Sequence, residues 1–188
     1  ERGNAFITAT GGTITECGND KIHTFTGPGT FTVAAAAQCA ANNVVSYLVV
    51  AGGGSGGGDL AGGGGAGGFR EYKSSVTPYT ASPLNGNPGG TAVTVSAQAY
   101  PITVGGGAST PSPNVREGCR GTPSVFSTII STGGGAGMVR VPSQSGPPAP
   151  GKAPGGSGGG ASYENSTNGT GNPPPVSPPQ GNSGGTAP

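Results

Sequence analysis

Apolar positions in this chain come in short runs that either alternate with polar residues or stop in glycine. Residues 44–51 (VVSYLVVA) are almost wholly apolar and rich in β-branched side chains. The run is too short to cross a bilayer and reads as a strand covered on both faces. It empties into the glycine-rich stretch 52–68 (GGGSGGGDLAGGGGAGG). Those glycines have no side chain to bury, but without a Cβ they let backbones approach closely. Much of the structure is therefore expected to be packed backbone, with a smaller side-chain core.

Other runs fit the same scheme. Residues 1–16 alternate around Gly11-Gly12 and predict two short strands or one broken strand. Residues 21–33 (KIHTFTGPGTFTV) read as a hairpin about Gly27-Pro28-Gly29, with Phe25 opposite Phe31 and His23 opposite Val33. Extending that register sets Cys17 against Cys39, a disulfide candidate whose alternative is two unpaired buried thiols. Residues 67–90 read as a turn-rich surface segment. Val93, Val95 and Ala97 alternate, as do Tyr100, Ile102 and Val104, giving two further strands. Residues 124–132 form another β-rich run. Three runs thus end in glycine, at Gly52, Gly105 and Gly133, and the glycine segments are expected to gather at one end of a sheet.

Composition sharpens this. The 188 residues include 42 Gly and 19 Pro, about a third of the chain. Gly costs about 1 kcal/mol and Pro about 3 kcal/mol inside a helix, so no α-helix is expected. The predicted fold is mainly β: a small antiparallel sheet or sandwich with glycine-rich loops or polyglycine II-like segments. Residues 1–141 form a glycine-rich β domain; 142–188 hold more than half the prolines and form an extended Pro/Gly-rich tail. That tail is either a flexible linker or a set of extended rods whose amides bond sideways to neighbours. A small core with no Trp favours order gained through oligomerisation.

Net charge is +1 and charged residues make up 8%. Nucleic-acid binding, which needs clustered Lys and Arg, is not expected, and neither is membrane insertion. No leader pattern is visible; because numbering opens at Glu1, the chain can be a piece of a longer or processed product.

Catalytic chemistry is sparse. Gly52, Gly54 and Gly57 match a dinucleotide fingerprint, but no helix follows and the acidic partner is missing, so no cofactor is expected. His23 is the only histidine, which rules out a multi-histidine metal site within one chain. Cys119 lies beside Arg120, which can lower a thiol pKa, but it reads as a loop thiol or interchain contact. Arg70 and Tyr72 could touch a ligand, with a solvated turn as the plainer reading. Asn165 and Asn168 head formal glycosylation sequons. No catalytic residue and no metal site are assigned, and the chain is not expected to be an enzyme.

Several motifs in order, ATGGTIT (9–15), KIHTFTGPGTFTV (21–33), YLVVAGGG (47–54) and GGGGAGGFRE (62–71), resemble the glycine-rich domain of bacteriophage tail fibres and adhesins from aquatic phages. YPITVGGG (100–107), FSTIISTGGG (126–135) and PPPVSPPQGNSGG (173–185) extend the resemblance along nearly the whole chain. It implies a virion-surface fibre component that assembles as a homo-oligomer, with a trimer favoured. The implied partner is a host cell-surface receptor or glycan. The alternative is an extracellular, glycosylated helical fibril in which residues 5–15 complete a neighbour's sheet.

Overall fold

The protein is described by a computed structural model covering residues 4–58, 60–89, 91–109, 118–139, 153–163 and 168–187. It is mainly β, and among the described residues the only helical element is one 3-10 turn, Ala40–Asn43. Five strands form an antiparallel sheet in the order β1 (Thr8–Thr10), β4 (Gly29–Ala35), β9 (Ala99–Thr103), β10 (Ser124–Phe126) and β11 (Ile129–Ser131). Three two-stranded ladders accompany it. These are β2 (Thr13–Cys17) with β3 (Asp20–Thr24), β5 (Val44–Val45) with β8 (Val93–Thr94), and β6 (Tyr47–Val50) with β7 (Phe69–Tyr72).

The core lies between the five-stranded sheet and the β6–β7 ladder. Phe31 and Val33 of β4, Tyr100 of β9, Phe126 and Ile129 face Tyr47 and Val49 of β6, with Val93 and Val95 closing one side. Phe126 meets Phe31, Tyr47 and Tyr100 at centroid distances of 6.1, 6.1 and 6.2 Å, each edge-to-face. That geometry sets the positive ring edge against a negative face.

Gly11-Gly12 breaks the first alternation into β1 and β2, as its position predicts. Gly11 has φ +110°, and a Cβ there would lie 2.0 Å from the Thr30 carbonyl oxygen. Both the backbone angle and the crowding require glycine. The hairpin predicted about Pro28 does not form. Instead β3 turns back on β2 through Gly18-Asn19, pairing Cys17 with Asp20 and Thr13 with Thr24. The Gly18 φ of +59° suits this tighter two-residue loop. β4 is claimed by β1 on one edge and β9 on the other, with Phe31 opposite Tyr100. His23 still reaches Phe31, edge-on at 5.0 Å.

Two more expectations are corrected. β6 is covered on one face only: Tyr47 and Val49 are buried, whereas Leu48 and Val50 are 59% and 50% exposed. Its ladder has just two strands, and a single face meets the sheet. Residues 69–72 form strand β7 rather than surface turn, with Tyr72 stacked on Tyr47 at 6.1 Å and 23°. The loop after β7 is tied down through the buried Glu71. Its carboxylate accepts the Ser82 N–H at 2.9 Å and the Ser82 hydroxyl, and its carbonyl accepts the Gly86 N–H at 2.9 Å. Residues 5–15 contribute β1 and part of β2, which pair with β4 and β3 of the same chain, and β1 is an edge strand of the five-stranded sheet.

Beyond the strands the glycine segments gather into one layer, held by backbone hydrogen bonds with a period of three. Ala51, Gly54 and Gly57 donate to Gly68, Gly65 and Gly62 at 3.0, 2.9 and 3.2 Å. Gly62, Gly65 and Gly68 donate in turn to Met138, Gly135 and Thr132 at 2.8, 2.8 and 2.7 Å. Gly52 and Ser55 donate to Thr122 and Cys119, and Gly134 and Gly137 donate to Gly52 and Ser55. Every third residue of a segment thus bonds the same neighbour. This is the pattern of three-residue helices, which make no internal bonds and satisfy their amides sideways.

The glycine segments of the proline-rich tail join this layer as extended rods, and the prolines between them, within 173–179, lie in a bend closed by the Asn172 side chain. Ser157 and Gly160 donate to Ala66 and Gly63, both at 2.9 Å, and Gly158 and Ala161 donate to Asn182 and Gly185, both at 2.9 Å. The composition change at residue 142 therefore brings no change of packing partner among the described residues. Gln180 fastens the last segment: it is 1% exposed, and its side-chain carbonyl accepts the Thr132 N–H at 2.8 Å.

Most glycines of the layer are needed for contact, not for unusual angles. Among the described residues, positive φ at glycine occurs only at Gly11, Gly12 and Gly18. A Cβ at Gly54 would instead sit 2.1 Å from the Gly135 carbonyl oxygen.

Candidate functional site

The hydrogen-bond directions fix which ends of the segments lie together. Segment 51–57 leaves the sheet from β6, and 62–68 returns to β7. Segment 132–138 leaves from β11, and 153–161 runs parallel to it, with Gly135 and Met138 donating to Ser157 and Gly160 at 2.9 and 3.0 Å. Gly57, Gly62, Met138 and Ala161 therefore gather at the end of the layer away from the strands.

Two large apolar side chains stand on that tip. Leu60 is 61% and Tyr163 is 69% exposed, and the Tyr163 N–H donates to the Leu60 carbonyl at 3.3 Å. Leu60 has φ 56°, in the left-handed region. For a γ-branched residue without helix-cap duty this conformation costs about 1–2 kcal/mol. Beneath them Met138 and Ala136 are buried, and the Ser162 hydroxyl donates to the Val139 carbonyl at 3.1 Å. The tip presents an aromatic and an aliphatic group to solvent at the end of a hydrogen-bonded backbone layer.

The residues singled out in the sequence are scattered. Cys17, Cys39 and Cys119 are free, exposed thiols. Cys17 ends β2 opposite Asp20 and Cys39 precedes the 3-10 turn, so the register that would oppose them is not formed. Cys119 belongs to the layer: its carbonyl accepts the Ser55 N–H at 2.9 Å, and its N–H donates to the Ser55 hydroxyl at 2.8 Å. His23 is half-buried, with Nδ1 2.8 Å from the Gly11 carbonyl oxygen.

Arg70 lies opposite Val49 in the ladder, and Tyr72 is half-buried against the core. Gly52, Gly54 and Gly57 line the layer, where no helix follows them. Asn165 lies outside the described residues. Asn168 uses its side-chain nitrogen, the atom a glycan would occupy, to donate to the Gly184 carbonyl. Among the described residues no group of three His, Cys, Asp or Glu side chains could hold a metal ion, and no helix is long and apolar enough to cross a membrane.

Sequence reasoning missed Leu60 and Tyr163 as a pair. Nothing in either local sequence signals the other; the backbone register alone brings them together. A family model described as a glycine-rich domain matches residues 24–187. No curated protein and no solved structure matches the chain.

Proposed function

The chain belongs to the glycine-rich domain family, and from that premise we propose that it is a non-enzymatic component of a bacteriophage tail fibre, exposed on the virion. In this reading it assembles with copies of itself, a trimer being the favoured form, and attaches to a host cell-surface receptor or glycan. The observation that carries the proposal is the tip. A backbone layer without flexible side chains presents Leu60 and Tyr163 with little conformational entropy left to lose on binding. The strained Leu60 supports it, since strain that the fold does not relieve is concentrated at sites of function.

Immunogold electron microscopy of intact virions, with antibody raised against this chain, tests the assignment. Label at a tail or fibre supports it; particles without label refute it. The tip is tested separately by competition, with the purified chain blocking adsorption of virions to host cells. Leu60→Gly relieves the backbone strain, so it keeps the fold while removing the contact. Tyr163→Ala removes the other half. Competition undiminished in both variants would place attachment elsewhere on the protein.

A further inference from the structure

Between the β1–β2 and β3–β4 connections lies a cleft of about 250 Å³, below the roughly 300–1,000 Å³ of sites for drug-sized ligands. Its size suits one small ring. Thr13, Thr24, Thr26 and Thr30 line it together with Phe25 and Gly27, and no charged side chain does. All four threonines are exposed, and none makes a side-chain hydrogen bond among the described residues.

Phe25 is held in place by glycine on two sides. A Cβ at Gly12 or at Gly29 would lie 3.1 Å from its ring carbons. Gly27 is different. Its φ is not positive, and no atom lies within 4 Å of where its Cβ would be. Neither the backbone nor the packing of this chain requires glycine there, yet any side chain would project into open space at the cleft.

We infer that this cleft binds a single neutral sugar ring. Hydroxyl groups donate and accept, so four free threonines match a ligand that is itself a ring of hydroxyls. Phe25 is packed between Gly12 and Gly29 and against the core, so hydroxyl contacts and not ring stacking carry the recognition. The uncharged lining selects against phosphate- or carboxylate-bearing ligands, whose desolvation it could not compensate. The inference uses none of the tip residues and does not rest on the attachment reading.

Saturation-transfer NMR on the purified full chain tests it. The probes are the methyl glycosides of glucose, mannose and galactose and free N-acetylglucosamine, with glucuronate and a glucose phosphate as charged counterparts. At least one neutral sugar should respond and the charged ones should not. Gly27→Val fills the open space, and valine suits the extended backbone required before Pro28. It should weaken the response at least about tenfold with the melting temperature unchanged. Thr26→Val, which removes one exposed hydroxyl, should weaken it as well and serves if the first variant does not fold. Silence from every neutral sugar, a preference for charged sugars, or a response that survives Gly27→Val and Thr26→Val would overturn the assignment. Virion labelling is unaffected by any of these results, so the two readings fail independently.

Discussion

Gly54→Ala sets two opposed effects against each other. On an unstrained extended backbone, replacing Gly by Ala stabilises a protein by about 0.4–1 kcal/mol, because the unfolded chain has less freedom to lose. At Gly54 the new Cβ would be 2.1 Å from the Gly135 carbonyl oxygen and 2.8 Å from that of Gly134. Contacts shorter than 3.4 Å are already tight, so segments 51–57 and 132–138 must part by more than an ångström. Both neighbours are backbone, and no rotamer change can absorb the motion. The bonds from Gly134 to Gly52 and from Gly137 to Ser55, at 2.8 and 2.9 Å, would then exceed hydrogen-bonding range.

Each buried amide left unmade costs about 1–3 kcal/mol, so the two together cost about 2–6 kcal/mol and outweigh the entropic gain. At about 2–4 °C per kcal/mol for a chain of this size, the melting temperature should fall by roughly 4–24 °C. Gly63→Ala is the control, since no atom lies within 4 Å of its Cβ and its φ is not positive. It should be neutral or stabilising by up to about 1 kcal/mol. Thermal unfolding followed by circular dichroism reads both. Equal melting temperatures for the two variants would refute the account of glycine as a contact residue.

Three further outcomes follow from the same structure. Gln180→Ala leaves the Thr132 N–H without its acceptor and should cost about 1–3 kcal/mol; limited proteolysis should then release the last segment, which the native chain protects. Tyr79 is pushed up from 10.0 to about 12, by burial first and then by the charge of Glu71 and a hydrogen bond to it. A raised pKa stabilises the fold below the unfolded value, so this contribution is present under pH 10 and is lost as pH rises towards about 12. Tyr79 is 41% exposed, and solvent screening keeps the effect small; Glu71→Gln should bring tyrosinate absorbance in at lower pH, and an unchanged titration would contradict the cause given. Finally, Cys17, Cys39 and Cys119 should all react with a thiol reagent in the native protein, and a shortfall of two thiols would restore the Cys17–Cys39 bridge.

What the sequence made legible was local. Alternation located β1, β2, β8 and β9, the single β-rich run at 124–132 proved to be two strands, β10 and β11, and the three glycine runs after strands foretold the layer, because these signals reside within a few adjacent residues. Pairing was not legible. Thr24, Phe25 and Thr30 alternate well enough for a hairpin about Pro28, but the shorter Gly18-Asn19 turn pairs β3 with β2, and β9 pairs with β4. The run at 44–51 appeared covered on both faces because hydrophobicity cannot report how many neighbours a strand acquires. Leu60 and Tyr163 were invisible for a related reason, since backbone bonds between distant segments bring them together.

The period of three carries a hazard. Sliding one glycine segment by three residues presents every amide to an equivalent carbonyl, so the layer alone barely distinguishes one alignment from the next. The few side chains within and beside it act as index pins. Ser55 and Cys119 lock each other reciprocally, the Ser124 and Ser131 hydroxyls grip the Val50 and Val49 carbonyls at 2.7 Å each, and Gln180 seats the final rod on Thr132. Remove these pins and the product should be a population of misaligned stacks, each nearly as well bonded as the correct one.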